Sequence, residues 1–224
     1  MAIDDNRASR EAVLARVRAA LGRRGPGANA TAAAHAYIAE QRQGPRPSLP
    51  GDRVQRFLER AGDMASTVER VANLDDAPRA VARYLDAIVS SPPATRAGVC
   101  WPEFATLGWT EAGMSLESRP TVGHDALGVT GCFCAIAETG TLAFLTGTET
   151  PTATFLLPET HVAIVRADQV VPGMEEAFEL IRRDRSQWPR AMNFVSGPSR
   201  TGDIEQTIVL GAHGPRRLHI VLVG

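Results

Sequence analysis

From Gly128 to Leu145 the chain reads Gly-Val-Thr-Gly-Cys-Phe-Cys-Ala-Ile-Ala-Glu-Thr-Gly-Thr-Leu-Ala-Phe-Leu, two strand-like apolar runs broken at Glu138-Thr139-Gly140. Runs of this kind must be buried, so the rest of the chain has to supply layers that cover them. Upstream, Val54, Phe57, Leu58 and Ala61 mark one helix face, and Asp75–Ile88 is a second helix with Ala77, Val81, Tyr84, Leu85 and Ile88 apolar. Strands are predicted over Thr67–Val71, Ala97–Trp101, Thr154–Leu157, His161–Arg166, Asn193–Ser196, Thr207–Leu210 and Leu218–Val223, with a helix over Gly173–Arg183. Helix alternating with strand predicts an α/β layer fold around a largely parallel sheet. The weakly periodic stretch Glu103–Asp125 is expected to cover an edge or rim a site.

The 224 residues fit one domain with an appendage. Asn6–Leu21 forms an Arg-rich amphipathic helix, and a Gly/Pro/Ala-rich segment holding a short helix over Ala32–Gln41 follows it. The expected division is an appendage over 1–50 and an α/β domain over 51–224. Residues 1–60 carry eleven arginines against six acids, which leaves the remainder at −6. Without interleaved aromatics the basic arm reads as a solvated helix face, and no nucleic-acid partner is expected.

All 24 basic residues are arginine. The absence of lysine excludes lysine-anchored pyridoxal phosphate and a Walker A loop. Cys100, Cys132 and Cys134 lack the spacing of a zinc or iron–sulfur set, so no metal site is expected. No signal peptide is visible and no apolar run reaches the ~20 residues of a membrane span, which gives the expectation of a soluble, cytoplasmic protein.

The main candidate site is Ser196-Gly-Pro-Ser-Arg-Thr-Gly-Asp-Ile-Glu205. A strand that dissolves into small hydroxyl and glycine residues and then starts a helical turn presents N–H groups and hydroxyls at one point. Ser196, Gly197, Ser199 and Thr201 would line a small-anion site, Arg200 would be its charged fork, and Asp203 an acid–base group. The same residues also suit a tight turn capped by Ser199 or Thr201. Glu138 sits among apolar neighbours, where desolvation would suit acid–base or nucleophilic work, beside Thr139 and Gly140; the alternative is a carboxylate holding turn N–H groups. His213, in Gly211-Ala-His-Gly-Pro215, is either a site imidazole or a turn residue. His161 and His219 read as structural. Cys132 and Cys134, two apart in a strand, would share a face about 7 Å apart and pack as small hydrophobes.

Four ordered motifs, Gly128-Val-Thr…Ala-Ile-Ala-Glu-Thr-Gly-Thr141, Leu156-Leu-Pro-Glu-Thr-His161, Ser196-Gly-Pro-Ser…Asp-Ile-Glu205 and Gly211-Ala-His-Gly-Pro215, resemble the LUD-domain family, most closely its lactate-utilization protein C branch. The resemblance implies a three-layer αβα fold similar to the glucosamine-phosphate isomerase, ribose-phosphate isomerase and CoA-transferase group, with a helical N-terminal appendage. It also implies a place in a three-component system that oxidises L-lactate to pyruvate, as the small component without iron–sulfur clusters beside partners that carry them. The isomerases of that fold group use a lysine that is absent here, whereas a CoA-transferase glutamate would correspond in role to Glu138.

Two functions follow as expectations. One is an accessory subunit that docks on iron–sulfur partners, partly through its N-terminal helix, and binds a small carboxylate. The other is a stand-alone enzyme acting on a CoA-linked or phosphorylated metabolite, with Glu138 as nucleophile or base. In neither is a cofactor bound by this chain, and Glu138, Arg200 and His213 are expected to meet at the carboxyl ends of adjacent strands.

Overall fold

The computed structural model describes residues 2–22, 28–48, 50–88, 96–185, 187–202 and 209–224. Contacts divide the chain into two units, Met1–Pro47 and Ser48–Gly224. The first contains α1 (Ala2–Ala20) and α2 (Ala28–Glu40). The apolar stripe of α1 leaves Val13 and Val17 exposed, and Tyr37 and Ile38 of α2 are exposed as well.

The second unit is built on a six-stranded sheet of order β1-β12-β7-β4-β2-β3, parallel throughout. Its strands are β1 (Thr67–Val71), β2 (Ala97–Cys100), β3 (Ser115–Glu117), β4 (Leu127–Thr130), β7 (Thr160–Arg166) and β12 (Arg217–Val223). A parallel sheet needs cover on both faces, and the central strands β4, β7 and β12 are almost entirely buried. On one face lies α4 (Ala77–Ile88), whose Tyr84 stacks on His219 with ring centroids 4.0 Å apart. The other face carries α5 (Ala153–Leu156), packed on β4 and β7, together with a four-stranded sheet of order β8-β5-β6-β9. That sheet comprises β5 (Cys134–Ile136), β6 (Thr141–Leu145), β8 (Val170–Val171) and β9 (Met192–Val195). Helix α3 (Arg53–Asp63) starts at Asp52, whose carboxylate accepts from the Gln55 N–H, and touches both β1 and β8. Helix α6 (Met174–Asp184) closes the outer side, its Ala177 clustering with Cys134, Ile136 and Ala143. The body is thus a three-layer α/β fold.

Between the sheets Phe144 stacks on Phe155 at 4.2 Å, with Trp101 edge-on to both. Each fully buried aromatic of this kind contributes about 1.5–3 kcal/mol of transfer free energy. His161 touches the same rings.

Four expectations meet corrections. Thr154–Leu157 belongs to a helical turn, α5, and not to a strand: four residues carry no periodicity, and Pro151 and Pro158 confine the segment. Gly128 is where that turn settles, since a Cβ there would lie 2.0 Å from the Thr154 carbonyl oxygen. The run 128–137 is two strands in different sheets, because the chain leaves the parallel sheet after Thr130. Cys132 consequently lies outside the strand and packs in the main core, while Cys134 packs under α6; both are buried and free. Finally, no helix follows Val195 within the described residues: Arg200–Thr201 forms β10, antiparallel to β11 (Val209–Leu210).

Candidate functional site

The four sequence motifs are joined in space by side-chain and backbone hydrogen bonds. Thr139 Oγ1 lies 2.6 Å from Thr141 Oγ1, which lies 2.6 Å from Ser196 Oγ. This run of hydroxyls ties the β5–β6 turn to the end of β9. Ser199 then fastens the next turn: its N–H donates to the Pro215 carbonyl at 2.8 Å, its carbonyl accepts from Gly211, and its hydroxyl accepts from the His213 N–H at 3.3 Å. The N–H of Ser199 is therefore committed to protein. Gly140 and Gly197 are used for close backbone approach to the end of α3. Both have positive φ (67° and 83°), and a Cβ would lie 2.4 Å from Ala61 N and 2.0 Å from Met64 O respectively.

A cavity of about 540 Å³ opens beside this junction. Its lining comes from three segments, each of which leads into a strand of the parallel sheet. They are Gly123–Ala126 before β4, Leu157 and Glu159 before β7, and Leu210, Gly211, Gly214 and Arg216 before β12. The cavity thus sits at the amino ends of adjacent strands, opposite to the expected carboxyl edge. Parallel strands carry all their entry loops at one edge, so three entries meet there.

Arg200 is exposed and pairs across the ribbon with Leu210, so its side chain shares a ribbon face with a cavity-lining residue. His213 is exposed between the lining residues Gly211 and Gly214. Neither Arg200 nor Arg216 has a carboxylate partner among the described residues. The stem of Arg216 packs against Gly211, where a Cβ would lie 3.1 Å from Arg216 Cβ. Glu138 is half-buried, its N–H bonded to the Pro172 carbonyl, and neither it nor Thr139 or Gly140 lines the cavity. Asp203 and Glu205 lie outside the described residues.

The carboxylates around the cavity are already engaged. Asp125 accepts from both Arg119 guanidinium nitrogens (3.0 and 2.8 Å), from Thr121 Oγ1 and from the Val122 N–H. The Arg119 bonds above all hold its carboxyl well below the usual range, against the opposing effect of burial. Glu159 pairs with Arg217 at 2.9 Å. Two guanidinium groups without a carboxylate partner among the described residues, the backbone of Gly123 and Gly214, and the imidazoles of His124 and His213 remain at the border, a donor set suited to an anion. Sequence reading overlooked Arg216, His124 and Glu159. The signal available for Glu159 was its place in the Leu156–His161 motif.

Burial pushes the imidazole of His161 down to about 3 and that of His219 down to about 4. His161 is fully buried, and its Nε2 lies 2.8 Å from Thr130 Oγ1, whose own hydrogen goes to the Gly131 carbonyl at 2.9 Å. A proton on Nε2 satisfies both contacts of the Thr130 hydroxyl, and Nδ1 has no hydrogen-bond partner among the described residues. Among the described residues no group of three His, Cys, Asp or Glu is placed to hold a metal ion, and no helix is long and apolar enough to cross a membrane.

Comparison with known proteins places this architecture. A lactate utilization protein C of Deinococcus radiodurans is 37% identical over 123 residues, 52% of this chain and 58% of that relative. The Bacillus subtilis protein of the same name is 32% identical over 127 residues, 55% and 53% of the two chains. A third, from an Exiguobacterium species, is 31% identical over 157 residues and 68% of both. The chain thus spans little more than half the length of the Deinococcus and Bacillus relatives. A crystal structure of a DUF162 family protein from Deinococcus radiodurans superposes with a TM-score of 0.56 at 24% identity, covering 80% of this chain and all of that one, which establishes the shared fold. The family model of the LUD domain matches residues 54–223, nearly the whole α/β body, and this chain belongs to that family.

Proposed function

We propose that the protein serves lactate utilization as an accessory component without a cluster of its own, binding a small carboxylate of the lactate and pyruvate class in the amino-edge cavity. Relatives named lactate utilization protein C support the process. The observation that carries the ligand class is that Arg216 in the cavity lining and Arg200 opposite the lining residue Leu210 have no carboxylate partner among the described residues, while the cavity's acids, Asp125 and Glu159, are already neutralised. A carboxylate entering there meets forked donors without competing for them. His213 and His124 supply further N–H donors or exchange a proton with the ligand. Electron transfer is assigned to iron–sulfur clusters on partner proteins.

Calorimetric titration with L-lactate, pyruvate and phosphate tests the reading. Arg216→Ala is expected to weaken carboxylate binding by ~1.5–3 kcal/mol, roughly ten-fold or more. Wild-type affinity in both Arg216→Ala and Arg200→Ala removes the clamp. Lactate-dependent dye reduction by the reconstituted components, with and without this chain, tests the accessory role.

A further inference from the structure

We infer that the amino-edge cavity takes a 2-hydroxy or 2-oxo acid whose hydrocarbon chain is longer than the methyl group of lactate, with that chain lying against Leu157 and Leu210. The inference rests on the carboxylate reading above and names the ligand more closely. Size is the first observation. Cavities of about 300–1,000 Å³ hold ligands of drug size, and this one measures about 540 Å³. A three-carbon acid would occupy a fraction of it.

The lining is the second. Each of the three strand entries contributes one apolar side chain, Ala126, Leu157 and Leu210. Leu157 is 56% exposed and Leu210 46% exposed. Single surface leucines are ordinary. Two that line one concavity, with cations at its border, suit a ligand with a charged head and an apolar body. Both positions are fixed by the fold. The Leu157 N–H donates to the Ala153 carbonyl at the end of α5, and the buried Pro158 that follows is seated on Gly128. Its neighbour Leu156 packs against the core, which turns Leu157 outward. Leu210 lies directly opposite Arg200 in the β10–β11 ribbon, so an apolar side chain and a guanidinium stand side by side on one ribbon face. The rival occupant is a dicarboxylate spanning Arg200 and Arg216. It would set a charged group against both leucines, where the loss of water is uncompensated.

The test is calorimetric titration of the full chain with L-2-hydroxy acids of three to six carbons, ending in 2-hydroxy-4-methylpentanoate. The matching 2-oxo acids are titrated beside them, and malate serves as the dicarboxylate. A fully buried methylene is worth roughly four-fold in affinity, so on these partly open walls each added carbon should gain about two-fold or more. The Leu157→Asn/Leu210→Asn double variant should bring that gain below about 1.5-fold per carbon, while Arg216→Ala weakens every member of the series together. Melting temperature and circular dichroism establish that the variants are folded; should the double variant unfold, Leu210→Asn alone is read in its place. Affinity that stays flat or falls with chain length overturns the inference. So do a chain-length gain that the leucine variants leave unchanged, and malate binding tighter than the six-carbon acids. The two readings fail separately. Absence of Arg216-dependent binding by any acid defeats the carboxylate reading and this one with it. Arg216-dependent binding of lactate without a gain along the series defeats only this one.

Discussion

Acidification from pH 7.5 to pH 5 should cost the protein about 4 kcal/mol of stability, half of it from His161 and half from His219. Both imidazoles are buried, and both are held neutral, at about 3 and about 4. In the unfolded chain each protonates near 6.5, so between these values the unfolded state binds more protons and stability rises with pH. The effect is absent above about pH 7, grows as pH falls through 6.5, and levels off only below the folded values. At pH 5 each free imidazole is ~97% protonated in the unfolded chain, which is worth about 2 kcal/mol per site. That figure depends on the unfolded value alone, so long as the folded one lies below 5. Asp125, lowered in the fold, contributes nothing to the change, since its share is lost only as pH drops below its ordinary value of about 3.8. Glu103, raised by burial, favours the fold as pH falls and so opposes the histidines, but it does so equally in wild type and His161→Gln and leaves their difference intact. The assay is urea denaturation of wild type and His161→Gln at five pH values from 7.5 to 5. The glutamine loses stability at every pH, but its loss between pH 7.5 and 5 should be about 2 kcal/mol where the wild type loses about 4. Equal slopes would refute the reasoning, and so would an imidazole NMR titration of His161 with a midpoint above 5.5.

Other outcomes are equally specific. Gly197→Ala should destabilise by at least ~2–4 kcal/mol, read by urea unfolding, because its left-handed backbone and the Met64 carbonyl both exclude a Cβ. Asp125→Asn should cost ~1–3 kcal/mol and also weaken carboxylate binding, because it frees the 119–125 loop that forms one wall of the cavity. Cys132→Ala and Cys134→Ala should leave metal content unchanged by elemental analysis and lower the melting temperature, as the loss of small buried apolar groups requires.

How much of the fold could be read from the chain depended on whether each segment had an unambiguous environment. Strands β7 and β12 begin only one residue earlier than predicted, because their apolar, β-branched-rich runs suit a sheet buried on both faces, and the short edge strand β1 coincides with the predicted Thr67–Val71. Helices α3 and α4 follow their apolar faces in the same way. Thr154–Leu157 failed because its conformation is set by what it lies on, Gly128 beneath and the prolines at either side, and not by its own side chains. The division of 128–137 between two sheets failed for a related reason: apolar character marks burial, but it does not say in which layer.

The candidate site divides along the same physical line. Its motifs were visible because small residues and hydroxyls in tight clusters are needed wherever backbone meets backbone, and here that need is largely internal. Gly140 and Gly197 press on α3, Ser199 spends its N–H on Pro215, and Ser196 closes a run of hydroxyls. Those contacts look the same in sequence as an anion cradle does. Only the topology separates them: β12 and β7 run parallel, so Gly211–Arg216 and Leu157–Glu159 enter the sheet from one edge and enclose space between them. Arg216, adjacent to the motif and unremarkable in sequence, faces that space, while Glu138, conspicuous in sequence, hydrogen-bonds through its backbone to the segment after β8. In this chain the glycine- and serine-rich turns act as the joints that hold the strand entries in place, and the cations without a carboxylate partner among the described residues stand where those entries converge.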